Sequence, residues 1–125
     1  MSKNGVAEGK AFWACALILA ATVVLVLLHV LGLVSFCFFV GLFCLNHWFV
    51  LTGTFYISFA VPVIVTLKRR YPNSFRSLLR LHMFGNLLAF ALISVHFASQ
   101  ISRPAERYPD PGTGVTLYVA TILLG

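Results

Sequence analysis

Two histidines, His82 and His96, lie fourteen residues apart in an apolar segment with no charged residue between them. Fourteen helical steps of 100° return to within about 40° of the starting direction and cover roughly 21 Å. Both imidazoles are therefore expected on one face of a helix, at two depths. Neutral imidazole is a common ligand of haem iron. Because one helix cannot place both rings on one iron at this separation, the spacing predicts axial ligands for two haems.

Small residues accompany the pair. Gly85 and Ala89 lie between the histidines on the same predicted face, where a flat macrocycle could approach the backbone closely. Arg103 follows His96 by about two turns on nearly the same face, so it is a candidate partner of a haem propionate. The alternatives are a hydrogen bond to a carbonyl or water for each histidine, and an interfacial anchor for Arg103.

Two further histidines, His29 and His47, are expected near the far end of their helices, about 28 to 32 Å from the basic boundary by helical rise. Each is a candidate for the second ligand of the haem on His96, because either could approach His96. Neither reaches the depth of His82. The alternative role for both is a polar cap at a helix end. The partner ligand for the haem on His82 is therefore expected from residues beyond Gly125 or from another subunit.

The composition is that of a membrane protein. Of 125 residues, 60% are hydrophobic and 10% are charged, and the mean hydropathy is +0.95. The formal charge of +6 could suggest nucleic acid. However, the nine Lys and Arg residues lie at the ends of apolar segments, which favours topology signals and contacts with lipid phosphates over a nucleic-acid partner.

The apolar segments predict an all-α integral membrane fold, a helical bundle of three full transmembrane helices and the start of a fourth. Residues 1–10 form a polar tail, and residues 11–125 form one transmembrane domain. Pro62 predicts a kink in the second helix. The predicted spans are 11–33, 45–67, 77–102 and 113–125, the last too short to cross the bilayer.

Basic residues predict the orientation. Five of the nine cations lie between Lys68 and Arg80, and the tail carries Lys3 and Lys10. By the positive-inside rule the N-terminus and this loop are expected in the cytoplasm of a multi-pass cell-membrane protein. The third helix then runs outward to a proline-rich loop over residues 103–112.

Cys15, Cys37 and Cys44 have no metal-ligand spacing and are expected to be small buried packing residues. A disulfide between Cys37 and Cys44 on the outer side is the alternative. No set of residues suited to hydrolytic chemistry is present in the sequence.

The segment His82-x-x-Gly85-x10-His96, preceded by a basic loop, resembles the first haem helix of the ferric reductase-like transmembrane family, which includes NADPH oxidases. It is also similar to the second helix of quinol-oxidising cytochromes b, where the haem helix runs in the opposite direction. The resemblance implies two b-type haems whose other axial ligands come from a later span. It also implies an electron donor such as a quinol or a flavoprotein.

The sequence thus predicts a membrane-bound b-type cytochrome subunit that transfers electrons across the bilayer through haems on His82 and His96, with membrane lipid and a second membrane subunit as partners. A haem-free structural subunit of a larger membrane complex is the competing hypothesis. A small transporter that uses the two histidines as a proton relay is a third.

Overall fold

The computed structural model describes residues 3–103 and 111–124, which are mainly helical. The elements are α1 (Lys3–Val30), β1 (Phe39–Val40), β2 (Phe43–Cys44), α2 (Leu45–Phe55), a π-helical turn (Tyr56–Ala60), α3 (Val61–Arg70), a 3₁₀ turn (Pro72–Ser74), α4 (Phe75–Ile101) and α5 (Pro111–Leu124).

Among the described residues, three helical segments are long and apolar enough to cross a membrane, namely Gly9–Val30, Leu45–Arg70 and Pro72–Ile101. A shorter apolar stretch, Gly114–Leu123, belongs to α5. The helical fold and its three long apolar helices agree with the prediction. α1 begins within the predicted polar tail, at Lys3.

The first helix ends earlier than predicted because Gly32 adopts a left-handed conformation with φ 72°. The N–H of Gly32 donates to the carbonyl of His29 at 3.0 Å, and the N–H of Leu33 donates to that of Leu28 at 2.9 Å. This pair of bonds is the Schellman motif, which satisfies the last carbonyls of a helix. It turns the chain away from the axis of α1 directly after His29.

The connection between the first two long segments contains a β-hairpin, which the all-α prediction did not include. Phe39 pairs with Cys44 and Val40 with Phe43, in antiparallel register. Gly41 has φ 65° at the first turn position, where a two-residue hairpin loop of type II′ requires a residue with positive φ. Aromatic and β-branched residues flanking a glycine therefore favoured strands here over helix.

The second long segment is continuous from Leu45 to Arg70 but changes its winding at the π-helical turn. There the N–H of Val61 donates to the carbonyl of Tyr56, five residues back. Pro62 follows immediately and has no N–H to donate, so the wider turn lies where a normal helical ladder would be interrupted. The irregularity predicted at Pro62 thus takes the form of a π turn just before it.

α4 is the central element and contacts α1, α2, α3 and α5. Its buried residues are mostly small: Ala89, Ile93, Ser94, Val95, Ala98 and Ser99. Opposite them, Gly53 of α2 is buried so closely that a Cβ there would lie 2.8 Å from the Ile93 side chain and 3.0 Å from the Ala89 carbonyl oxygen. Small residues on both helices permit this close approach.

α5 starts at Pro111, within the stretch predicted as a loop. The prediction failed because proline is tolerated in the first turn of a helix, where its missing N–H has no partner to lose. Tyr118 joins α5 to α4: its hydroxyl lies 2.9 Å from Ser94 Oγ, and its ring stacks on Phe97 with a centroid distance of 4.2 Å. The rest of the predicted outer loop, residues 104–110, lies outside the described residues.

Candidate cofactor site on helix α4

His96 is the most strongly positioned histidine of the described chain. Its Nδ1 lies 3.0 Å from the backbone carbonyl oxygen of Asn46, the second residue of α2. A carbonyl accepts only, so Nδ1 carries the proton and donates. Nε2 of the neutral ring then holds a lone pair, which accepts from the side-chain amide of Gln100 at 3.3 Å. One turn of α4 and the start of α2 together fix the orientation of the ring.

His47 lies beside this ring, with a centroid distance of 5.8 Å between His47 and His96. Its Nδ1 is buried and has no hydrogen-bond partner among the described residues. The preceding Asn46 is 1% exposed, and within the same part of the chain neither its side-chain oxygen nor its nitrogen has a partner. These residues form, with Gln100, a cluster of polar groups at the hairpin end of α4, which we call the hairpin-end cluster.

His82 lies at the other end of α4, near the basic loop, and is half-buried. Its Nδ1 is also buried, without a hydrogen-bond partner in residues 3–103 and 111–124. Because α4 is one uninterrupted helix, His82 and His96 are separated along it by roughly 21 Å. The two histidines therefore occupy separate environments.

The helix face between the two histidines is closely packed. The hydroxyl of Tyr56 donates to the carbonyl of Leu81 at 3.0 Å and lies directly over Gly85, where its ring occupies the space that a Cβ would need. Ala89 is 2% exposed and faces Gly53. The second helical segment thus fills the space beside Gly85 that the sequence predicts for a macrocycle.

The two remaining candidates lie toward the hairpin end. His29 is 8% exposed, and its ring stacks on Phe36 with a centroid distance of 5.9 Å. Its Nδ1 has no hydrogen-bond partner in the part of the chain that the structure describes. Arg103 follows α4 directly, and its backbone N–H donates to the carbonyl of Gln100 at 3.1 Å. Its charge is close enough to the Cys44 thiol to act on it. A cation at this end suits a negatively charged group such as a propionate.

The imidazoles fit axial ligation of a haem iron. Ligating histidines commonly donate the second ring N–H to a carbonyl, which fixes the ring and its tautomer, and His96 has this arrangement with Asn46. His82 and His47 each have a buried ring nitrogen with no partner among the described residues, and an imidazole nitrogen of this type can also ligate a metal. Binding of a macrocycle against Gly85 additionally requires displacement of the Tyr56 side chain.

The sequence did not predict three features of the site. The contact of Gln100 with His96 could have been predicted, because residues four apart share a helix face. The contact with the Asn46 carbonyl could not, because a backbone contact between helices depends on their packing and not on residue type. The position of Tyr56 over Gly85 was equally inaccessible, since it depends on the π turn.

No protein-family model matches the chain, and neither curated proteins nor solved structures show a significant match to it. The function of this chain is therefore inferred from its own residues and their contacts.

Proposed function

We propose that this chain is an integral subunit of a b-type membrane cytochrome, in which His96 and His82 on α4 are axial ligands of two haems. The observation that carries the proposal is the orientation of His96, whose protonated Nδ1 is held by the Asn46 carbonyl so that Nε2 has a lone pair for a metal. A backbone acceptor supplied by another helix is the arrangement expected around a ligating histidine.

Membrane insertion is supported by the surface. The three long apolar helices expose large hydrophobic side chains over most of their length, including Trp13, Leu27, Phe55 and Leu88. Lys68, which follows an apolar run, marks the start of the basic loop. We propose a multi-pass protein of the cell membrane with its N-terminus in the cytoplasm, in agreement with the positive-inside rule.

Haem b, when bound, supplies reversible one-electron transfer. The chain's own groups have separate tasks. The Asn46 carbonyl holds the His96 proton at Nδ1, the apolar helices exclude water, and Arg103 provides a positive charge for a propionate. A second membrane subunit would supply further ligands, and a quinol or flavoprotein would donate the electrons.

The experiment is a dithionite-reduced minus oxidised optical spectrum of the protein purified with its native partners. We expect a sharp b-type α-band that weakens in His96→Ala and in His82→Ala and is unchanged in Ser99→Ala, a buried control on the same helix. His96→Met retains an axial donor, so it should keep the iron and raise its reduction potential. A featureless wild-type spectrum would refute the proposal.

A haem-free structural subunit is the second candidate, and it is favoured by the contact between Tyr56 and Gly85. A face already filled by a neighbouring helix behaves as a packing surface. In this case the spectrum is featureless, while His82→Ala and His96→Ala reduce the yield of the assembled complex. The spectrum and the yield of the complex therefore distinguish the two functions.

A further inference from the structure

Cys37, two residues before β1, and Cys44, the last residue of β2, lie close together, with 3.9 Å between the two Sγ atoms. Cys37 is exposed and Cys44 is half-buried. The expectation of a buried packing residue is therefore wrong for Cys37, and Cys44 is only half-buried.

The hairpin holds the two thiols close together through several independent contacts. The indole Nε1 of Trp48 donates to the Val40 carbonyl at 2.8 Å, and the backbone N–H of Leu45 donates to the Phe38 carbonyl at 2.9 Å. These bonds connect the hairpin to the first turn of α2. Bond formation between the sulfurs requires a further approach of about 1.9 Å, to the usual S–S distance of about 2.05 Å.

We propose that Cys37 and Cys44 form a disulfide that closes the hairpin, made by exchange with the disulfide of a thiol oxidoreductase outside the cell membrane. The inference uses the proposed orientation, in which the hairpin faces the oxidising side of the membrane. It is independent of haem. Cys15 lies within the apolar part of α1 and keeps its thiol.

The exchange proceeds in two balanced steps. The thiolate of the exposed Cys37 attacks one sulfur of the oxidoreductase disulfide, which breaks that bond, forms a mixed disulfide and releases the first partner sulfur as a thiolate. The thiolate of Cys44 then attacks the Cys37 sulfur and expels the second partner sulfur. The two cysteines lose two electrons to the partner disulfide, and their two protons go to the partner thiols.

The electrostatics assign Cys44 to the second, intramolecular step. Partial burial and the hydrogen bond to Cys37 raise the pKa of the Cys44 thiol, and the charge of Arg103 acts in the opposite direction. A thiol with a raised pKa is a poor nucleophile toward a dilute partner at neutral pH. Attack on a sulfur held beside it does not suffer from dilution.

The disulfide has a consequence for the hairpin-end cluster. Cys44 directly precedes α2, whose next residues are Leu45, Asn46 and His47. Closing the hairpin fixes the first turn of this helix, and with it the carbonyl that orients His96. The hairpin disulfide therefore stabilises the position of the Asn46 backbone.

The test counts free thiols in the full chain by intact mass. Cells are treated with N-ethylmaleimide before lysis. The purified protein is then denatured and alkylated again, with and without prior reduction by a phosphine. We expect one added maleimide without reduction, on Cys15, and three after it. For Cys15→Ser the expected numbers are zero and two. For Cys37→Ser, the matched control, the number is two under both conditions.

Three maleimides on the wild type without reduction would overturn the proposal. A metal held between the two thiols would also protect them from alkylation, but a chelator alone would then release them. Gain of two maleimides after chelation without a reductant would therefore also overturn the proposal. Since the optical spectrum does not enter this count, failure of the disulfide and failure of the cytochrome assignment remain separate results.

Discussion

Both ring nitrogens of His96 already have partners, and the two partners differ in kind. The Asn46 carbonyl belongs to the backbone of another helix, whereas the Gln100 amide is a side chain four residues along the same helix. A side chain can rotate away at the cost of one hydrogen bond, about 0.5–1.5 kcal/mol. A metal at Nε2 is thus expected to displace Gln100 and to leave the bond to Asn46 in place.

This difference predicts opposite behaviour of Gln100→Leu in the two states of the protein. Without haem, the substitution leaves a half-buried ring nitrogen without its donor, and the free energy of unfolding should fall by about 1–3 kcal/mol. With haem bound, Nε2 is coordinated and the substitution should have no effect on stability. Thermal unfolding in detergent, before and after removal of haem, measures both values.

Ser102→Ala serves as the comparison, because the Ser102 hydroxyl donates to the carbonyl of Ala98 within the same helix at 2.7 Å. Its effect should be the same in both states. An equal loss of stability for Gln100→Leu with and without haem would show that Gln100 stays on Nε2, which would exclude His96 as a ligand through that atom.

At the scale of elements, α4 and the second helical segment (Leu45–Arg70) pack together where one of the two helices has a glycine. Gly53 approaches Ala89, and Tyr56 covers Gly85. The π turn begins at Tyr56, and the phenol hydroxyl reaches the Leu81 carbonyl. An irregular turn in one helix thus places a large ring over a glycine of the other.

Gly85→Ala tests this contact. The added Cβ would overlap the hydroxyl and ring of Tyr56, so the ring must move and the bond to Leu81 is lost. We expect a loss of about 1–3 kcal/mol in the free energy of unfolding, since overpacking a closed contact is destabilising. Thermal or denaturant unfolding of the purified protein in detergent provides the measurement.

A glycine of α5 provides the matched control, because a Cβ at Gly114 meets nothing within 4 Å. Gly114→Ala should be neutral or stabilise the helix by up to about 1 kcal/mol. Combining Gly85→Ala with Tyr56→Ala should recover much of the loss, because the overlap is removed. Additive effects of the two substitutions would contradict the packing described here.

The sequence predicts the helices better than their connections for a physical reason. Residues 11–67 include no Lys, Arg, Asp or Glu, and a run of this length is enough for two apolar spans of about 20 to 25 residues. The aromatic stretch Phe36–Phe43 is apolar in either conformation, and only the glycine turn directs it into strands. Hydropathy therefore detects the spans but does not distinguish a hairpin from a helix end.

The candidate site, too, could be predicted only in part from the sequence. Depth along the helices follows from counting residues, which predicted that His29 and His47 lie near the outer end, where either could approach His96. Lateral position depends on which helices pack together, and α4 contacts both α1 and α2. The choice of His47 over His29 as the neighbour of His96 therefore required the structure.

At the scale of the whole molecule, charge is concentrated at one end of the two central helical segments. Lys68, Arg69 and Arg70 close α3, and Arg76 and Arg80 lie in the first turns of α4. Lys68 also lies over the Phe75 ring at 4.6 Å from its centroid. Each cation near an anionic leaflet contributes about 1 kcal/mol of attraction. This end is therefore expected at the cytoplasmic surface.

The orientation is testable at two exposed positions in a chain whose three cysteines have been replaced by serine. Leu42, at the hairpin turn, is 88% exposed, and Ser74 lies in the exposed 3₁₀ turn of the basic loop. A membrane-impermeant maleimide should label Leu42→Cys in intact cells and Ser74→Cys only after permeabilisation. The reverse pattern would place the basic loop outside, against the positive-inside rule, and would put the hairpin thiols in a reducing compartment. Labelling of both positions in intact cells would mean that the segment Leu45–Arg70 does not cross the membrane, although its length and hydropathy permit it.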